Sequence, residues 1–272
     1  MQTDQFAALL TPDGAAALVA ATEATEPEPL AVSTRLRAAG HHPGLVTTAL
    51  TQVRLRRRAV AKFGPDAARM YFTVEGLEQA TRAAVAARRA HRFVRAGVTT
   101  LADLGCGIGA DLVACARAGL RVTGVERDPL TAAVARANLA ALRLTDRAQV
   151  VCADTTGFDL TGFDGVFCDP ARRSGGRRVF APDAYSPPWS FLLSVAAEVP
   201  ACALKVAPGL DHDRVPDGVE AEWVSEGGEV VEAGLWFGPL SSARHRATVL
   251  PAGASASPAG RWPEADSLTG SG

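Results

Sequence analysis

The stretch Leu101-Ala102-Asp103-Leu104-Gly105-Cys106-Gly107-Ile108-Gly109-Ala110 constrains this chain more than any other. It reads as a buried strand that runs into a glycine-rich turn and then a helix start. Glycines at alternate positions permit a tight turn and a close approach of backbone to a ligand, and Asp103 leaves an acceptor at the strand end. A dinucleotide-binding turn wants glycine three residues after its second one; that position is Ala110, which the pattern also accepts. The glycines alone are weak evidence. Glu126 sharpens them, because it ends the next apolar run, Arg121-Val122-Thr123-Gly124-Val125, about where an acidic side chain meets a ribose diol. Asp154 follows the third run, Val150-Val151-Cys152-Ala153, and Asp169-Pro170 follows the fourth, Gly165-Val166-Phe167-Cys168. Four consecutive strands each bring a polar group to their carboxyl end.

That series resembles the class I S-adenosylmethionine-dependent methyltransferases, from roughly Thr99 to Leu250. The resemblance implies an α/β fold with a Rossmann-like sheet and S-adenosylmethionine as cofactor. Carried over residue by residue, it puts Asp103 with Gly105, Gly107 and Gly109 on the methionine part, Glu126 on the ribose and Asp154 at the adenine. The competing reading is a nicotinamide dehydrogenase, whose opening turn looks much the same. Asp154 and Asp169-Pro170 have no role in it.

The chain has 272 residues, enough for one good core plus a smaller unit, and three segments are expected: a helical domain over 1–96, the cofactor-binding domain over 97–250 and a disordered tail over 251–272. Alternation of strand and helix from Thr100 onward implies parallel strands with helices on both faces, and ligands beyond the strand carboxyl ends. The net charge of -1 points to no global partner, yet residues 51–95 hold 11 basic and 3 acidic side chains while 201–272 hold 5 and 10. The five cysteines, at 106, 115, 152, 168 and 202, show no paired spacing for zinc or a disulfide framework, which fits a reducing cytoplasm. The amino terminus lacks a basic segment followed by an apolar run, and no uncharged stretch is long enough to span a bilayer.

Within the first 96 residues, Thr11-Pro12-Asp13 should cap a helix, Ser33 should open a short one that ends at Gly40, and Leu45 to Phe63 should form a third. His41 and His42 lie in a turn with no third metal ligand, so no metal is expected. Arg54, Arg56, Arg57, Arg58 and Lys62 crowd the third helix, and Arg82, Arg88, Arg89, Arg92 and Arg95 the next; the cluster is either a solvated face or a phosphate-binding one. Between them the aromatic segment Met70-Tyr71-Phe72-Thr73 reads as a packed elbow, with Thr73 as N-cap of a helix running to about Ala96. Methyltransferases similar to the trimethylguanosine synthases place an aromatic-Thr pair over the cofactor pocket, and that resemblance assigns Phe72 and Thr73 to cofactor binding.

Asp169-Pro170-Ala171-Arg172-Arg173-Ser174-Gly175-Gly176-Arg177-Arg178 follows the fourth strand. Enzymes that methylate exocyclic base amines carry Asp, Asn or Ser here, then Pro-Pro and an aromatic residue, so that oxygens accept from the amine while the ring stacks on the base. Asp169 and Pro170 match and become the catalytic candidates. Ala171 and Arg172 do not, which leaves stacking to Phe180, Tyr185 or Trp189. The four arginines suit a phosphate clamp for RNA or a nucleotide, or else a solvated loop. Ser186-Pro187-Pro188-Trp189 copies the letters of the trimethylguanosine synthase motif but lies well past the fourth strand, and Ser186 as a helix N-cap explains it. Ala201 to Val206 should be a fifth strand, and the runs 219–224, 231–237 and 245–250 suit an antiparallel closing pair.

Together these segments are similar to a bacterial methyltransferase subgroup whose members carry a carboxy-terminal THUMP-like domain, associated with RNA binding. This chain stops before one, so it is expected to be a shortened version or to capture substrate through its helical part. The expected function is methylation of a nucleobase in RNA, the alternatives being a small-molecule methyltransferase or a cofactor-binding protein without catalysis.

Overall fold

The computed structural model describes residues 1–25, 28–172, 185–251 and 254–256. Two compact units divide the chain, Met1–Asp169 and Pro170–Gly272, and these do not coincide with the expected segments 1–96 and 97–250.

The first unit opens with six helices, α1 (Thr3–Leu9), α2 (Pro12–Thr22), α3 (Pro29–Ala38), α4 (Pro43–Phe63), α5 (Val74–Gln79) and α6 (Ala83–Arg95). Thr11 caps α2 by accepting from the Gly14 N–H at 3.2 Å, as its Thr-Pro-Asp sequence requires. Helix α3 starts at Pro29, four residues before Ser33, because proline at the first helical position is pre-set for the helix and has no N–H to lose. The His42 side chain caps α4, accepting from the Gly44 N–H, while His41 Nδ1 lies 2.7 Å from Asp13. Both histidines are therefore structural. Helix α4 is the spine of this part: Leu45, Val46, Ala49, Val53 and Phe63 are buried, and α1, α2 and α3 pack on it.

After α6 the chain alternates β1 (Thr100–Leu104), α7 (Ala110–Arg117), β2 (Arg121–Glu126), α8 (Pro129–Leu142), β3 (Ala148–Cys152) and β4 (Gly165–Cys168). Asp128 caps α8 through the Thr131 N–H at 2.8 Å, with Pro129 at the first helical position. The four strands are all parallel in the order β4-β1-β2-β3, so this is the α/β sheet the alternation implies. The chain steps from β1 outward to β2 and β3, then crosses to place β4 on the other side of β1. That reversal puts a topological switch point between β1 and β4, where the carboxyl ends leave a crevice.

In the second unit β5 (Ala171–Arg172) pairs with β6 (Tyr185–Ser186), followed by α9 (Trp189–Glu198), β7 (Ala201–Val206), β8 (Glu220–Glu226), β9 (Glu229–Trp236), β10 (His245–Leu250) and β11 (Ala254–Ala256). Strands β8 and β9 form the expected antiparallel pair around Gly227-Gly228, whose φ of 64° and 84° suit a two-residue hairpin turn. Strand β10 instead joins β8 in parallel. Strand β9 is already flanked by β7 and β8, and β10 adds to the outer edge of β8. Fully buried Glu220 anchors the returning connection, accepting from Ser242 N at 2.8 Å, Ala243 N at 3.0 Å and Arg246 Nε at 2.8 Å. Within the tail expected to be disordered, Ala254–Ala256 pairs antiparallel with β10; residues 257–272 lie outside the described ones. Ser186 is not a cap: it ends β6, and Pro188 takes the N-cap position of α9 because the two prolines already hold an extended entry. Among the described residues no helix is long and apolar enough to cross a membrane.

Candidate cofactor site

Because the four strands of the first unit run the same way, the order Asp169, Asp103, Glu126, Asp154 is laid out along one edge of the sheet. Asp103 pairs with Gly124 and Phe167 across β1's two neighbours and is 1% exposed, just behind the glycine turn. The turn hangs from β2: Gly105 N and Cys106 N both donate to Val125 O, at 2.9 and 3.1 Å, and Gly107 N donates to Glu126 Oε2 at 3.1 Å. Glu126 Oε1 accepts from Asp128 N at 2.9 Å. Each carboxylate oxygen therefore holds one backbone N–H and keeps a lone pair for a further donor, such as a hydroxyl of a diol.

Two glycines in this turn are needed for different reasons. Gly107 has φ +54° and nothing within 4 Å of where a Cβ would stand, so it leaves open space beside the turn. Gly105 has φ +82°, and a Cβ there would lie 2.7 Å from the carbonyl oxygen of Asp169. Asp169 N in turn donates to Leu104 O at 3.1 Å. The first residue after β4 is thus seated on the glycine turn itself.

The electrostatics of the crevice are negative. Burial, followed by the nearby charges of Asp103 and Glu126, pushes the Cys106 thiol well above its ordinary range, so it stays neutral and is no nucleophile. The same charges favour a cation, which fits a sulfonium compound. Exposed Asp154 accepts from both Thr156 N and Thr156 Oγ1, and these hydrogen bonds hold its carboxyl below the usual carboxylate range. Among the described residues no group of acids, histidines and cysteines could hold a metal ion.

The aromatic elbow lies against this turn, but not as the resemblance implies. Phe72 is 0% exposed, packs on Phe63 with centroids 5.5 Å apart, and has its backbone clamped by Gln52 through N–H···Oε1 at 3.0 Å and Nε2–H···O at 2.7 Å. Its ring is core and offers a ligand no surface. Thr73 caps α5 through the Gly76 N–H at 2.9 Å; the helix breaks at Ala80 and resumes as α6 instead of running through to Ala96. Lys62 explains the break, since its Nζ donates to the carbonyls of Leu77, Glu78 and Ala80 at 2.7, 2.8 and 2.9 Å and so closes α5.

The basic cluster divides in the same way. Arg89 is 3% exposed, pairs with Asp111 of α7 and lies 4.1 Å from the centroid of the Phe167 ring. It ties α6, α7 and β4 together; stranding either charge of such a pair costs about 3–5 kcal/mol. Arg92 is also buried, and Arg56 donates to Met70 O at 2.8 Å while stacking on Tyr71. Arg54, Arg57 and Arg95 are exposed, as is Arg58 beside Glu78. The Arg172 side chain, Arg173, Arg177, Arg178 and Phe180 lie outside the described residues. Of the other stacking candidates, Tyr185 is 4% exposed with its hydroxyl accepting from Ala207 N at 2.9 Å, which leaves half-buried Trp189.

Comparison with known proteins agrees with this geometry. A methyltransferase-domain family model matches residues 101–173, and a domain of unknown function matches residues 2–59. The chain is 37% identical over 251 residues to uncharacterized S-adenosylmethionine-dependent methyltransferases from two strains of Mycobacterium tuberculosis, covering 84% of this chain and 66% of each relative. A crystal structure of a Porphyromonas gingivalis protein, assigned by inference as a methyltransferase, shares the fold with a TM-score of 0.63 at 20% identity, over 89% of this chain and 60% of that one. The chain thus spans about two thirds of the length of the curated relatives it matches.

Proposed function

We propose that the chain is a class I S-adenosylmethionine-dependent methyltransferase and that it methylates an exocyclic amine of a nucleobase in RNA. The observation that carries this reading is the seating of Asp169 on Gly105, which makes the amine-orienting residue and the cofactor turn one assembly.

Asp103 and the glycine turn would hold the methionine part of the cofactor, Glu126 its ribose and Asp154 the adenine. The cofactor supplies an electrophilic methyl on a cationic sulfur, so positioning accounts for most of the catalysis. Asp169 and the Pro170 carbonyl accept the amine's hydrogens, which leaves its lone pair directed toward the methyl. Cys106 stays neutral and so does not compete with the acceptor for the methyl. The exposed arginines of α4 and α6 supply phosphate contacts.

A second reading, a small-molecule acceptor, is favoured by one observation: Arg89 and Arg92 are buried and Arg56 and Lys62 bind backbone carbonyls, which removes four of the charges counted toward a phosphate-binding face. Incubation with methyl-labelled S-adenosylmethionine and either bulk RNA or free nucleosides, followed by mass spectrometry of the digests, separates the two. RNA should gain a methylated base, with a rate that falls steeply as salt rises; labelling of free nucleosides alone, or of neither, would overturn the RNA assignment.

A further inference from the structure

Asn138 is fully buried on α8 and makes three hydrogen bonds. Its Oδ1 accepts from Tyr71 N at 2.7 Å, and its Nδ2 donates to Tyr71 O at 3.1 Å and to Ile108 O at 2.9 Å. Reversing the amide would set an NH2 against an N–H and an oxygen against two carbonyls, so the partners themselves determine its orientation.

What it holds is the middle of the glycine turn. Ile108 stands between Gly107 and Gly109, at φ +54° and +89°, two residues with little conformational preference of their own. The Ile108 carbonyl is pinned by Asn138, and its side chain, 2% exposed, abuts α5 so closely that a Cβ on Gly76 would lie 2.4 Å from Ile108 Cγ2. On the far side of the amide, Tyr71 packs edge-on against Phe6 and under Arg56. One side chain thus spans from the aromatic elbow to the middle of the turn.

We infer that Asn138 is a positioning residue: it holds the glycine turn in the path that accepts the cofactor and couples that path to the aromatic elbow. The inference rests on the cofactor site proposed above. It makes cofactor affinity depend on a residue whose hydrogen bonds all go to the protein's own backbone.

The test compares Asn138→Asp with Leu139→Ala, its 2%-exposed neighbour on α8, which loses core packing and leaves the amide intact. The aspartate keeps an oxygen for Tyr71 N–H but turns another toward two carbonyls. Binding of S-adenosylmethionine should weaken about 10- to 100-fold in Asn138→Asp, as expected for two lost buried hydrogen bonds, and stay within about threefold in Leu139→Ala at a similar loss of thermal stability. Amide hydrogen exchange at residues 108–110 should quicken in the first variant only. Equal weakening in both variants, or unchanged affinity and exchange in Asn138→Asp, overturns the inference. If the aspartate variant fails to fold, Asn138→Ala is read by the same two measurements. Should the unsubstituted protein bind no S-adenosylmethionine, the site reading fails on its own, while exchange at 108–110 still decides whether Asn138 holds the turn.

Discussion

Gly105→Ala should lower stability by about 1–3 kcal/mol and reduce methyl transfer by at least about 100-fold. Two separate effects produce this. The first is backbone strain, because φ of +82° is a conformation that a residue with a Cβ adopts only at a cost. The second is collision: the new Cβ would stand 2.7 Å from Asp169 O, a backbone atom that cannot rotate away as a flexible side chain could. Either the turn or Asp169 must move, and a displacement of about 1 Å in a reacting group is enough to cost two orders of magnitude in rate. Gly119→Ala separates the effects, since Gly119 has φ +98° with nothing within 4 Å of its Cβ position. Urea unfolding should show destabilisation in both variants, larger in Gly105→Ala, with methyl transfer nearly normal in Gly119→Ala. Full activity in Gly105→Ala would mean that the contact between the turn and Asp169 is not needed.

Asp169→Ala should leave S-adenosylmethionine affinity within about threefold and lower kcat about 10²- to 10³-fold, the usual loss when a group aimed at the reacting atoms is removed. The reason lies in the position of the residue. Asp169 follows β4, which β1 separates from β2, and β2 ends in Glu126, the residue proposed for the ribose. Its side chain is assigned to the acceptor alone. Asp169→Asn keeps a carbonyl oxygen that accepts from an amine and should recover much of the rate, which distinguishes hydrogen-bond acceptance from a need for negative charge. Steady-state kinetics with saturating cofactor, alongside calorimetric binding, reads both quantities. A loss confined to cofactor affinity would move Asp169 into the cofactor site.

The edge of acids could be read in the sequence because each lies at the end of an apolar run, and parallel strands bring such ends to one side. The glycine turn was equally legible, since positive φ at Gly105, Gly107 and Gly109 is what glycine at alternate positions supplies. The basic cluster was not, because spacing along a helix does not say which arginine faces inward: Arg89 and Arg92 lie on the face of α6 shared with Val85, Ala86 and Phe93. Phe72 followed a family pattern in the sequence, whereas the contacts of Gln52 and Phe63 decide where its ring goes. Asn138 matches no motif, yet the sequence carries a signal for it. It interrupts the buried stripe Ala135, Asn138, Leu139, Leu142 of α8, and a polar side chain at such a position must find partners. The parallel entry of β10 depends on which strand edge remains open, a property of the assembled sheet and not of the run 245–250.

Neighbouring strand ends of the first unit are proposed to bind an adenosyl sulfonium compound. Isothermal titration of the purified chain with S-adenosylmethionine and, separately, with NAD tests it most directly. Saturable one-to-one binding of the first and none of the second is the predicted result; no heat with S-adenosylmethionine, or preferential binding of NAD, would contradict it.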